Sequence, residues 1–193
     1  MRAALIAVLV VVLIGAVAVS SVAGTYNHLV QLRQQVDAAQ ADVETQLQRR
    51  FDLIPNLVES TRAVLAQERT VFEALARART QYAGTQPGTP QRIDAANNLQ
   101  SALGRLLVIV ENYPVLRSNE TVQSLMRELA GTENQLAYAR RQYNAAVQGY
   151  DTALQSFPTT LIAASFGFQP RPYFQAQPGA QQAPRVNLGV PTP

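Results

Sequence analysis

The sequence predicts an all-α fold: a single N-terminal transmembrane helix, then an antiparallel up-and-down bundle of three long amphipathic segments, or four if Pro55 is a true break, then a disordered or extended C-terminal tail. Three observations predict it. The stretch from Ala3 to Ala23 holds no charged side chain, and its only polar side chains are Ser20 and Ser21. From Tyr26 onward, long segments repeat their apolar residues at helical spacing. No stretch shows the period-two alternation of a half-buried strand. The chain therefore divides into an anchor (1–24), a bundle (25–168) and a Pro-, Gln- and Ala-rich flexible tail (169–193).

The leading segment is long enough to cross a bilayer. About 21 residues at ~1.5 Å each give a helix of ~31 Å, close to the thickness of the hydrocarbon core. A cleaved signal peptide has a shorter apolar core of about 7–15 residues, followed by a small-x-small site. Ser21-Val22-Ala23 before Gly24 fits such a site, and a chain cut there would be a secreted helical bundle. The length of the run favours an uncleaved anchor. Arg2 and the amino terminus lie on one side of it, with Arg33 and Asp37 the nearest charges on the other. That asymmetry favours a single-pass membrane protein with its N-terminus inside and its bundle extracytoplasmic.

Leu29, Leu32, Val36, Ala39, Val43, Leu47, Phe51 and Ile54 form the first amphipathic stripe. Pro55 interrupts it. Inside a helix, proline removes one backbone bond and clashes with the preceding turn, at ~3 kcal/mol or more. Asp52 is alternatively placed to cap a new helix with Pro55 in its first turn. The stripe resumes through Val58, Thr61, Leu65, Phe72 and Leu75, so a kink and a short break both fit. Gly84 to Pro90 is dense in glycine and proline and reads as a loop. Thr89 then caps a helix with Pro90 at its first position, and that helix ends near Asn112, ahead of Pro114. Ser118 or Asn119 caps the last long helix, from about Glu120 to Phe157. Its stripe is Val122, Leu125, Leu129, Leu136, Tyr143, Val147, Tyr150, Leu154 and Phe157, with Thr132 and Arg140 as polar steps. Gly131 lies inside it at a cost near 1 kcal/mol against alanine, which a close helix crossing would explain. Leu161 to Phe168 forms a turn or two packed on the bundle. Such segments bury their stripes against one another as a bundle.

Composition narrows the function. Charged residues make up 15% of the chain, against about 25% in typical soluble domains. The net charge is +3 and every basic residue is arginine. The arginines are scattered among Asp and Glu, which speaks against a nucleic-acid stripe. With no cysteine, no disulfide or thiolate chemistry is available.

Several short stretches together carry a family likeness. They are Tyr26-Asn-x-Leu-Val-x-Leu-Arg33, Val36-Asp37, the run from Gln46 to Glu59 (QLQRRFDLIPNLVE), Glu111-Asn-Tyr-Pro114, Leu129 to Asn134, Ala137 to Arg140, Tyr143-Asn144, Phe157-Pro158, Phe166-Gly-Phe168 and Tyr173-Phe174. In this order they resemble the LemA family of bacteria over about Tyr26 to Phe174. Two departures stand out. The family often has tryptophan where this chain has Gln40, and a His-Glu pair where it has Gln67-Glu68. The resemblance implies one N-terminal membrane helix, a four-helix bundle and a break near Pro55. It implies no reaction. Some family members are associated with bacterial organelle membranes, and others are encoded near membrane proteases or envelope proteins.

Each chemically suggestive residue has a structural reading. His28 is the only histidine and lies just past the apolar run, without a second ligand or base partner nearby. It reads as an interfacial side chain. In Arg49-Arg50-Phe51-Asp52, Arg49 is positioned to reach Asp52 at i+3 and Arg50 to pair across helices. This reads as a charge cluster fixing a helix junction, with an anion or headgroup site as the alternative. Glu128, Glu133 and Asn134, followed by Arg140 and Arg141, cannot build a di-iron site, which needs two Glu-x-x-His motifs. Tyr143 and Tyr150, seven apart, read as core, while Tyr113 and Tyr138 complete a possible binding stripe. No catalytic, cofactor or metal residues are assigned, and no cofactor or small-molecule substrate is expected. The expected partners are the bilayer, through Ala3–Ala23, and other proteins or further copies of the chain. The expected role is non-enzymatic scaffolding in the cell envelope, with action on the bilayer surface as the alternative.

Overall fold

The computed structural model describes residues 2–175. The first helix, α1, runs without interruption over Arg2–Arg62. It is followed by α2 (Arg69–Ala83), α3 (Pro90–Asn112), the single turn α4 (Pro114–Arg117), α5 (Glu120–Gln155), the turn α6 (Thr159–Ile162) and a 3₁₀ turn at Ala164–Phe166. No strand occurs among the described residues.

The two long helices, α1 and α5, form the main antiparallel pair, and α2 and α3 form a hairpin packed beside them. Their seams repeat every seven residues. On α1 the buried positions include Leu29, Val36, Val43 and Leu57; on α5 they include Val122, Leu129, Leu136, Tyr143 and Tyr150. A seven-residue repeat keeps one stripe facing the partner along the whole helix, as in coiled coils. The hairpin adds Leu75, Ala78 and Tyr82 from α2 and Ala95, Ala96, Leu99, Leu103, Leu106 and Val110 from α3.

The first ~5 turns of α1 are of a different kind from the rest. Its large apolar side chains from Leu5 to Val19 are between 48% and 70% exposed. They belong to a helix long and apolar enough to cross a membrane, and Val19 at their end shares a groove with Phe166. The helix passes through Gly24 and Thr25 without a break, and the Thr25 hydroxyl donates to the Ser21 carbonyl at 2.9 Å.

Pro55 lies inside α1, so the break implied near it is absent. The interruption comes at residues 63–68 instead. Ile54 and Leu57 flank the proline and are both buried. Burying such side chains contributes about 1.5–3 kcal/mol each, which together offsets the ~3 kcal/mol of one interior proline. Leu65 turns inward at the actual break, 1% exposed, and the Tyr113 hydroxyl donates to the Glu68 carboxylate at 3.4 Å.

The caps fall where the sequence puts them. Thr89 accepts from the Arg92 amide at 3.2 Å, and Asn119 from the Val122 amide at 3.1 Å. The last long helix, α5, ends at Gln155 rather than at Phe157, which is left exposed because Pro158 follows it. The close helix crossing expected at Gly131 is absent. This residue is exposed, and a Cβ built there meets nothing within 4 Å. Gly88 is the position that needs glycine. Its φ is +78°, and an added Cβ would lie 2.9 Å from the Gln40 side-chain nitrogen.

The packed unit extends past the boundary expected at Gln169. Residues 169–175 form neither helix nor strand and are docked along α1 and α5 rather than free. The Asn144 side chain donates to the Phe174 carbonyl at 2.8 Å and accepts from its amide at 3.0 Å. Tyr143 donates to the Pro172 carbonyl at 2.8 Å, and Arg171 reaches Asp37 at 2.8 Å. The flexible-tail reading for 176–193 lies outside the described residues.

Candidate functional site

Two polar clusters sit within the bundle, and one apolar collar sits where the bundle meets the exposed part of α1. The first cluster is a layer across three helices. Arg50 occupies the α1 seam between Val43 and Leu57, seven residues from each, and is 6% exposed. A guanidinium at such a position must be paired, because an uncompensated buried charge is strongly unfavourable. It pairs with Glu133 of α5. The other Glu133 oxygen accepts from the Gln100 amide of α3 at 2.7 Å, and the Gln100 oxygen accepts from Arg140 Nη1 at 3.0 Å. Burial lowers the Arg140 pKa below its ordinary value, and the nearby Glu133 carboxylate opposes that shift. Arg140 Nε and Nη2, and Gln46 Oε1, are buried without a protein partner. The Arg140 guanidinium also lies 5.2 Å from the centre of the Phe174 ring.

The second cluster fixes the α2–α3 loop to α1. Arg92 donates to both carboxylate oxygens of Glu44, at 2.7 Å from Nη2 and 3.2 Å from Nε. Its guanidinium stacks 3.5 Å over the Tyr82 ring. It also donates to the Tyr82 and Thr85 carbonyls. The Tyr82 hydroxyl donates to Glu44 at 3.1 Å. Burial, and then the Glu44 carboxylate, push the Tyr82 phenol well above its usual pKa, against the pull of Arg92.

The collar is built from the last residues of the fold. Phe166 packs edge-on against Tyr26 at 5.2 Å between ring centres, and Phe168 does so at 5.6 Å. Arg33 lies over the Phe168 ring at 5.4 Å.

Most of the residues singled out by sequence take structural places. His28 is exposed beside the collar. Arg49 pairs with Glu128 of α5 at 3.0 Å, not with Asp52, which accepts instead from Gln48 at 2.8 Å. The cross-helix contact of Arg50 is present as expected. Asn134 is exposed, and Arg141 lies 5.9 Å over Tyr138. Tyr143 and Tyr150 are core, whereas Tyr138 is 58% exposed. Among the described residues, no three of His, Cys, Asp or Glu group as a metal site would require. Spacing and residue type assign no site role to Gln100, Glu44, Arg92 or Arg171, and Asn144 enters only through the family likeness. Arg50 carried a legible signal, since it falls in the seven-residue series with Val36, Val43 and Leu57.

The arrangement positions helices, and its charged groups are tied into pairs that hold one helix to another. The model of the LemA family matches residues 39–188. The chain belongs to the LemA family. Two magnetosome proteins of Paramagnetospirillum magneticum, MamQ 1 and MamQ 2, are each 28% identical to it over 178 residues. Magnetosome protein MamQ of Magnetospirillum gryphiswaldense is 26% identical over the same length. Each match covers 79% of this chain and 65% of the relative, so the chain spans about two-thirds of the length of these relatives. The LemA match starts within α1, after the Tyr26–Asp37 stretch, and runs through the docked 169–175 segment. Family membership and the exposed apolar helix together support a membrane-associated protein.

Proposed function

We propose that this LemA-family chain is a non-enzymatic scaffold of the cell envelope, anchored by Ala3–Ala23 and holding its bundle outside the cytoplasm. One observation carries the reading: α1 is a single helix that is apolar and exposed at its start and a central stave of the bundle thereafter. An anchor continuous with the bundle core transmits position and orientation, which suits a protein that arranges others. The polar clusters hold helices together and offer no nucleophile–base pair. The magnetosome relatives are named for the structure they belong to rather than for a reaction. Partners of the bundle are other proteins or further copies of the chain.

The test is crosslinking followed by affinity capture of the full chain from native membranes. A scaffold gives discrete, reproducible crosslinked species. Recovery of uncrosslinked monomer alone contradicts the reading. Orientation is tested separately, because the chain lacks cysteine. Val115→Cys, at an exposed site in α4, is expected to react with an impermeant maleimide from outside the inner membrane. Labelling only after lysis reverses the topology.

A further inference from the structure

We propose that Phe157, Leu161 and Phe166 form an apolar foot by which the base of the bundle rests in the headgroup region of the bilayer, beside the anchor. The proposal rests on the reading of α1 as a membrane anchor.

The level of these residues follows from the helix register. Arg50 of α1 faces Glu133 of α5. Going back from Arg50 to Leu29 and on from Glu133 to Leu154 covers the same number of residues, so both helices reach the same height at the exposed end of α1. Phe157 and Leu161 follow Leu154 directly. Phe166 is fixed there by its edge-on contact with Tyr26, three residues beyond the apolar run. It also lines a groove with Val19, Val22 and Ala23 of the anchor itself. Aromatic side chains are enriched at this depth of a membrane.

The exposures are large for apolar side chains at the base of a folded unit: 81% for Phe157, 68% for Leu161 and 48% for Phe166. Charge is absent where it would oppose contact with lipid. No Asp, Glu or Arg occurs from Ser156 to Pro170, nor from Ala3 to Leu32. The two uncharged stretches meet at this end of the molecule. The nearest arginines, Arg33 and Arg171, sit above it over Phe168 and on Asp37. The foot therefore continues the apolar surface of the anchor sideways, and the bilayer is the one partner already in contact with that surface. Two points of attachment hold the bundle at a fixed tilt, which a single helix does not.

The chain has no tryptophan, so each introduced indole reports alone. The full chain is reconstituted into two sets of phosphatidylcholine vesicles, one brominated near the headgroup end of the acyl chains to read the foot probes and one brominated near the chain ends to read Leu13→Trp at the middle of the anchor. The probes are Phe157→Trp and Leu161→Trp at the foot, Leu13→Trp in the anchor, and Tyr138→Trp on α5, ~28 Å of helix away from Phe157. The foot predicts that both foot probes shift to shorter emission wavelengths and lose emission in brominated vesicles, while Tyr138→Trp does neither. Quenching of Leu13→Trp with foot probes that behave like Tyr138→Trp overturns the foot and leaves the anchor standing. Foot probes that shift to the blue without bromine quenching are covered by protein, such as a second copy, and also overturn it. An unquenched Leu13→Trp overturns the anchor reading and the foot with it.

Discussion

Arg50 is the residue on which the middle of the bundle turns. It stands where the seam of α1 otherwise holds Leu29, Val36, Val43 and Leu57, and its charge is met by Glu133. Removing one member of a buried pair leaves the other uncompensated, whereas an apolar side chain of similar shape avoids the problem. Glu133 is 42% exposed, so water moderates the effect. Glu133→Gln is expected to lower stability by about 1–3 kcal/mol, and Arg50→Met by less, in denaturant unfolding of the full chain in detergent. A larger loss for Arg50→Met would contradict this account. Gly131→Ala fills open space on an exposed helix face and should raise stability by about 0.5–1 kcal/mol in the same assay. The tyrosines set a pH limit. Burial raises the phenol pKa values of Tyr82, Tyr143 and Tyr150 in the folded state. The unfolded chain therefore loses these protons first as pH rises. Their contribution to stability is complete below about pH 10 and falls as pH climbs toward the raised folded-state values. Tyrosinate absorbance should show these three phenols ionising together with the loss of helical circular dichroism; ionisation well before unfolding contradicts their burial.

At the scale of elements, the terminal strap is held by few contacts and is the place where local opening is expected. Asn144 makes both of its hydrogen bonds to Phe174. Asn144→Ala should abolish amide-exchange protection at Phe174 while that of α1 and α5 remains, as local opening predicts. Loss of protection throughout α5 would mean that the strap is part of the core. This strap also shows where sequence reading ends. Its Pro- and Gln-rich composition argues against a helix, but docking depends on Asn144, Tyr143 and Asp37, which lie far away in the chain. Helix caps at Thr89 and Asn119 were legible because their partners are three residues away. The seams were legible because the stripe is periodic. Pro55 misled because its local cost is visible in sequence, while the burial of Ile54 and Leu57 that offsets it depends on facing helices. The polar layer was half legible: a cross-helix partner for Arg50 was foreseeable from its charge, but Gln100 and Glu133 as members of one layer were not.

At the scale of the whole molecule, one helix serves as both anchor and stave. The fold expected from sequence, an apolar N-terminal helix leading into a helical bundle, is the fold observed. The polar clusters were less legible than the fold, because charge pairs between helices have no spacing rule comparable to a metal or phosphate motif. The scaffold role requires that α1 stay whole. Cleavage after Ala23 would remove the exposed apolar turns and free the bundle. The most direct test is the N-terminal mass of the native protein taken from carbonate-washed membranes, together with its share in the soluble fraction. The account predicts a chain that begins at Met1 or Arg2 and stays with the membrane. A chain that begins at Gly24 and is recovered in the soluble fraction would contradict it.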